Sequence, residues 1–182
     1  CLLTGAPSAF ARSNTDLSVT GMITPSACKP SLSSGGIVEH GRVGMKDLHP
    51  DQPTRLENGT LYLDVNCEAA TLFTLTTVDN RSGSSAISPS QHGLGIVNDD
   101  EKLGSVALGL FDAIADKAAV KTISSRDDGV SWRASPYLGH AGKTSFGAMN
   151  APDTPIAIKD LHARLTAFTI IVRASDLTLT DE

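Results

Sequence analysis

Thr60–Cys67, TLYLDVNC, is the stretch whose reading decides the fold. Leu61, Leu63, Val65 and Cys67 fall on one side of an extended chain, and Thr60, Tyr62, Asp64 and Asn66 on the other. Successive strand side chains point to opposite faces, so this alternation marks a half-buried β-strand. The same period recurs in both directions. Upstream, Leu17, Val19, Gly21 and Ile23 share a face before Cys28. Downstream come Phe73, Leu75 and Thr77, then Val106, Leu108 and Leu110, then Ile156 and Ile158. Residues 164–174, RLTAFTIIVRA, are apolar on both faces: Phe168, Ile170 and Val172 on one, and Leu165, Ala167, Thr169 and Ile171 on the other. A strand covered on both sides reads that way.

Turn clusters separate these runs: SLSSGG at 31–36, HPDQPT at 49–54, DNRSGSS at 79–85, SRDDGV at 125–130 and NAPDTP at 150–155. Gly, Pro, Asn, Asp and Ser each supply their own turn chemistry. Many short strands between such turns predict an all-β, immunoglobulin-like antiparallel sandwich. The helical suspect is LGLFDAIADKAAV at 108–120, with Leu110, Ile114 and Ala118 at helical spacing. Gly104 and Gly109 favour strand–turn–strand instead. Val130 and Trp132 predict a further strand, with Trp132 packed on the core or a sheet face. Asp127-Asp128-Gly129 reads as a turn rather than a calcium loop.

With 182 residues the chain makes one domain. Aromatic residues are 4% of it, so the core must be built from Val, Ile, Leu and Ala. A net charge of −5 without a basic run argues against nucleic acid. No stretch reaches the ~18 apolar residues of a membrane span. Residues 1–11, CLLTGAPSAFA, read as the C-terminal part of a signal peptide, with Ala9-Phe10-Ala11 as a small-x-small cleavage box. A lipidated Cys1 and an ordinary polar N-terminus are the alternatives. Residues 12–21 then form an N-terminal arm and 22–182 the domain. Cleavage after Ala11 leaves two cysteines, Cys28 and Cys67. An even count in an exported protein reads as one disulfide; two buried free thiols are the alternative.

The five histidines are scattered and read as surface or loop residues. No G-x-S-x-G elbow or phosphate loop occurs; in GHAGKTS, Gly139 and Gly142 are too close for the latter. No catalytic, cofactor-binding or metal-binding residues are predicted, and the reading is not an enzyme.

The order Gly21-x-Ile23-x(4)-Cys28, then GGIVEHGRVGMKDL (35–48), then a strand ending VNCEAATLFTL (65–75), resembles the subunits of chaperone–usher fimbriae. LSVTGMITPSACKPSLSSGGIVEHG, TTVDNRSGS, GLGIVN and DDGVSW resemble more closely an exported family of unknown function labelled probable β-fimbrial major subunit, over Leu17 to Glu182. The resemblance implies a disulfide between Cys28 and Cys67, and partners that are other fimbrial subunits, a periplasmic chaperone and an outer-membrane usher. It implies a place in the periplasm and on the surface of a Gram-negative bacterium. Function is then expected to be structural: a subunit joined to its neighbour by strand complementation. The arm, with Leu17, Val19 and Gly21, is the candidate donor strand; the alternative is an ordinary first edge strand. Fimbrial subunits carry a final strand after a glycine, but FTIIVRASDLTLTDE (168–182) looks like the strand before it. The candidate acceptor groove therefore lies beside Phe168, Ile170 and Val172. The second functional expectation is a stand-alone or tip-located domain that binds a surface ligand such as a glycan.

Overall fold

The alternation at 60–67 produces the burial it predicts. In the computed structural model, which describes residues 27–178, Leu61, Leu63, Val65 and Cys67 are buried and the residues between them exposed. They belong to one of three long strands that form the centre of the molecule. In chain order the strands are β1 (Cys28–Leu32), β2 (Thr54–Arg55), β3 (Gly59–Thr71), β4 (His92–Gly93), β5 (Ile96–Val97), β6 (Glu101–Lys102), β7 (Gly104–Ala115), β8 (Ala118–Ser125), β9 (Arg133–Ala134), β10 (Tyr137–Leu138), β11 (Lys143–Ala148) and β12 (Ile158–Ile171). Among the described residues helix is confined to short 3-10 turns.

The main sheet runs β1-β3-β12-β7-β8-β11, and every strand pairing is antiparallel. β7 and β8 pair only through Ile114–Ala119 and Ala115–Ala118. β8 then leaves β7 and pairs with β11 and β9, giving the second layer of an antiparallel β-sandwich. Between the layers lie Leu63, Val65, Leu110, Val120, Phe146, Leu161 and Ala163. Ile171, Val172 and Leu177 form a smaller cluster with Leu48, Leu56 and Leu94.

The 108–120 stretch is strand–turn–strand, as Gly104 and Gly109 suggested. Asp116 and Lys117 have φ of 48° and 71°, the paired left-handed conformation of a two-residue hairpin turn. The β12–β7 register shifts between His162 and Arg164, with an extra residue on β7. Asp112, at φ 51°, takes up that residue. This bulge moves the inward positions of β7 from Leu108 and Leu110 to Ala113 and Ala115.

Two expectations are overturned. The predicted groove beside Phe168, Ile170 and Val172 is not at an open edge, because β12 is central: β3 and β2 line one side and β7 the other. Val172 lies just past β12, buried, with its N–H bonded to the Leu103 carbonyl. Two apolar faces identified a central strand correctly; beside Phe168 and Ile170 its edge is filled by β2 and Leu56, far upstream. Val130 and Trp132 form no strand either. The 126–132 segment is a turn in which Trp132 is half-buried and donates Nε1–H to the Gly129 carbonyl. Asp127 closes that turn. Hydrogen bonds from Ser131 and from the Ser125 hydroxyl hold its carboxyl down at about 2. The signal-peptide segment and the arm with Leu17, Val19 and Gly21 lie outside the described residues.

Candidate functional site

Two places on this sandwich present chemistry that the fold itself leaves unused. The first is the outer edge of β1. Cys28 stands opposite Cys67 and the two are joined by a disulfide, with Cα atoms 4.0 Å apart. So close an approach belongs to a non-hydrogen-bonded antiparallel pair. The neighbouring bond from Glu68 N–H to the Ala27 carbonyl fixes the same phase. Cys28, Pro30 and Leu32 therefore turn their main-chain groups away from β3. Among the described residues these outward groups have no main-chain partner, apart from the 3-10 turn that begins after Leu32. The edge offers the carbonyls of Cys28 and Pro30 and the N–H groups of Cys28 and Leu32. Pro30 has no N–H, so one donor is missing at its middle. Lys29, Pro30, Ser31 and Leu32 are all exposed. In the chain-entropy model a bridge closing a loop of about forty residues stabilises by about 4 kcal/mol, which ties this strand to the core. Such a bridge fits a protein of an oxidising, exported compartment.

The second place is a cavity of about 740 Å³ where the edge of β7 changes partner. β10 pairs with Leu108 and Gly109, and β4 with Ser105 and Val106; Ala107 lies between them in the cavity wall. Phe168 and Ile170 of β12 also line it. These predicted groove residues thus border a real concavity on the outer sheet face, although not an unfilled strand position. Phe168 packs edge-on to Phe111, with centroids 6.2 Å apart, and 6.4 Å from Tyr137. Gly109 makes room for this cluster: a Cβ there would meet the Phe111 ring at 2.6 Å. Arg164 covers the other side of Phe111 and pairs with Asp112 at 2.7 Å.

The cavity rim is tied together by His140, whose Nε2 bonds the Pro89 carbonyl. Beneath it His92, against expectation, is buried. Its Nε2 bonds Thr77 Oγ1 at 2.8 Å, its ring meets His140 edge-on, and its Nδ1 has no partner among the described residues. Burial pushes the His92 pKa down. Arg55, Arg126 and Lys143 line the cavity, together with several hydroxyls and Gln91, and no Asp or Glu among the described residues does. Sequence reading missed Tyr137, Arg55, Arg126 and Gln91, which come from four separate segments with no shared motif. Among the described residues no three His, Cys, Asp or Glu side chains gather as a metal site.

The class is therefore an all-β antiparallel sandwich with its first two long-range partner strands bridged by a disulfide. Residues 17–98 match a family described as "Protein of unknown function (DUF1120)". Protein GltF of Escherichia coli (strain K12) is 35% identical over 89 residues, which cover 46% of this chain and 35% of GltF. The chain thus spans about a third of the length of this curated relative. No solved structure matches. The expected resemblance ran from Leu17 to Glu182, whereas the family model covers residues 17–98. That segment holds the Cys28–Cys67 pair but not Arg126, Tyr137, Lys143 or Phe168. No helix of the described residues is long and apolar enough to cross a membrane.

Proposed function

We propose that the chain is an exported structural subunit of a fimbria or pilus-like surface fibre, joined to its neighbours by strand complementation. The observation that carries this reading is the outer edge of β1, unpaired among the described residues and held to the core by Cys28–Cys67. A strand edge is a template for another strand. The alternating arm, with Leu17, Val19 and Gly21, has the period of a strand that supplies main-chain bonds and side chains together. The acceptor edge in this reading is β1, in place of the groove beside β12. Pro30 restricts that edge, since an incoming strand forms one hydrogen bond fewer. A periplasmic chaperone and an outer-membrane usher are the partners such assembly requires.

Deleting residues 12–21 from the expressed gene tests the reading. Immunogold electron microscopy is expected to show surface fibres for the intact gene and none for the deletion, with the bridged domain still exported. Fibres that persist without the arm, or an intact gene that yields none, would overturn it. The cavity beside Ala107 favours a second reading, a stand-alone or tip-located domain that binds a surface ligand.

A further inference from the structure

We infer that the cavity beside Ala107 is a binding site for an acidic saccharide, a sugar ring carrying a carboxylate. The inference rests on the second reading above and gives that ligand a chemistry. Its first support is charge. The protein carries a net charge of −5, yet this cavity of about 740 Å³ is lined by three cations and, among the described residues, no carboxylate. Lys143 is already paired with Asp128 at 2.6 Å. Arg55 and Arg126 have no side-chain partner among the described residues. Two unpaired guanidinium groups on an acidic protein concentrate positive potential in one concave place. A guanidinium matches a carboxylate in two parallel hydrogen bonds.

The second support is the wall. Tyr137 is 55% exposed and stands beside Phe168 in the lining. Its ring gives a flat apolar face with a polar tip, which suits the C–H face of a pyranose. The lining also carries the hydroxyls of Ser90, Ser124, Ser125, Ser135 and Thr144 and the amide of Gln91. These groups can donate to and accept from sugar hydroxyls. The volume falls in the ~300–1,000 Å³ range of small-ligand sites. A lone inorganic anion would leave the Tyr137 face unused, and a neutral sugar would leave the guanidinium groups unused.

Titration calorimetry on the full chain tests the site. The probes are trigalacturonate and sialyllactose, their uncharged counterparts trigalacturonate methyl ester and lactose, and inorganic sulfate. At least one acidic saccharide is expected to bind ten-fold or more tightly than its uncharged counterpart. Arg126→Gln and Tyr137→Ala are each expected to weaken it at least five-fold, and Arg126→Gln to do so without changing the melting temperature, since Arg126 is in an exposed turn. Three results would overturn the site. Neither acid binds; or the uncharged counterparts bind equally well; or sulfate binds as tightly as the acid and Tyr137→Ala changes nothing. None of these touches the β1 edge, so the fibre reading stands or falls separately.

Discussion

Pro30 faces Val65 across the β1–β3 ladder at a pair whose main-chain groups point away from each other. The N–H that proline lacks would therefore have pointed outward, into the open edge, and not into β3. Replacing Pro30 by Thr restores a donor there and leaves the β3 ladder intact. One hydrogen bond contributes about 1 kcal/mol, so self-association is expected to tighten about five-fold. Sedimentation velocity over a concentration series measures it, and an unchanged association constant would show that β1 is not the adhering edge.

The Cys28–Cys67 bridge is expected to appear as one linked peptide pair in non-reducing mass spectrometry. The double substitution of Cys28 and Cys67 by Ala is expected to lower unfolding stability by about 4 kcal/mol. Urea titration reads the loss. A decrease below about 1 kcal/mol would mean that β1 is held by its ladder alone.

His92 makes stability depend on pH. Its folded pKa lies below the ordinary 6.5, chiefly because burial disfavours the charged ring. The unfolded chain therefore takes up the proton first. The contribution is complete above pH 6.5 and is lost as pH falls through that value toward the folded pKa. Wild type is expected to melt lower at pH 5 than at pH 7.5, and His92→Gln to flatten the difference. Equal slopes for the two proteins would remove His92 as the cause.

Asp112 holds a left-handed backbone and pairs with Arg164. Asp112→Ala is expected to destabilise by about 1–2 kcal/mol, combining the loss of the short polar side chain that lets Asp tolerate a left-handed backbone with the loss of a mostly exposed ion pair. Asp112→Gly loses the pair but relieves the left-handed Cβ, and is expected to be nearly neutral. Equal losses in urea unfolding would show that backbone strain at the bulge plays no part.

Much of the fold was legible in the sequence because burial with period two leaves a direct trace. Leu61, Leu63, Val65 and Cys67 kept their face, and the two apolar faces of 164–172 identified a central strand. The partners of that strand were not legible, since β3 and β7 reach it by long-range pairing that no local pattern encodes. The bulge at Asp112 shows only as a step from Leu108 and Leu110 to Ala113 and Ala115, which resembles a weak helical period. Trp132 was misplaced because an aromatic beside alternating residues looks like a strand, whereas Asp127 and Gly129 make the local chain a turn. Of the two sites, the cysteine-marked edge could be read. The cavity could not, because Arg55, Gln91, Arg126 and Tyr137 converge only after the sheet has formed.

Amide hydrogen exchange at Leu32, followed by NMR as protein concentration rises, tests strand addition at β1 most directly. Its N–H points out of the β1 edge with no main-chain partner among the described residues. The expected result is fast exchange in dilute monomer and strong protection as copies associate, with Lys29 and Ser31, bonded to β3, protected throughout. Fast exchange of Leu32 at every concentration, or full protection already in the dilute monomer, would contradict assembly through this edge.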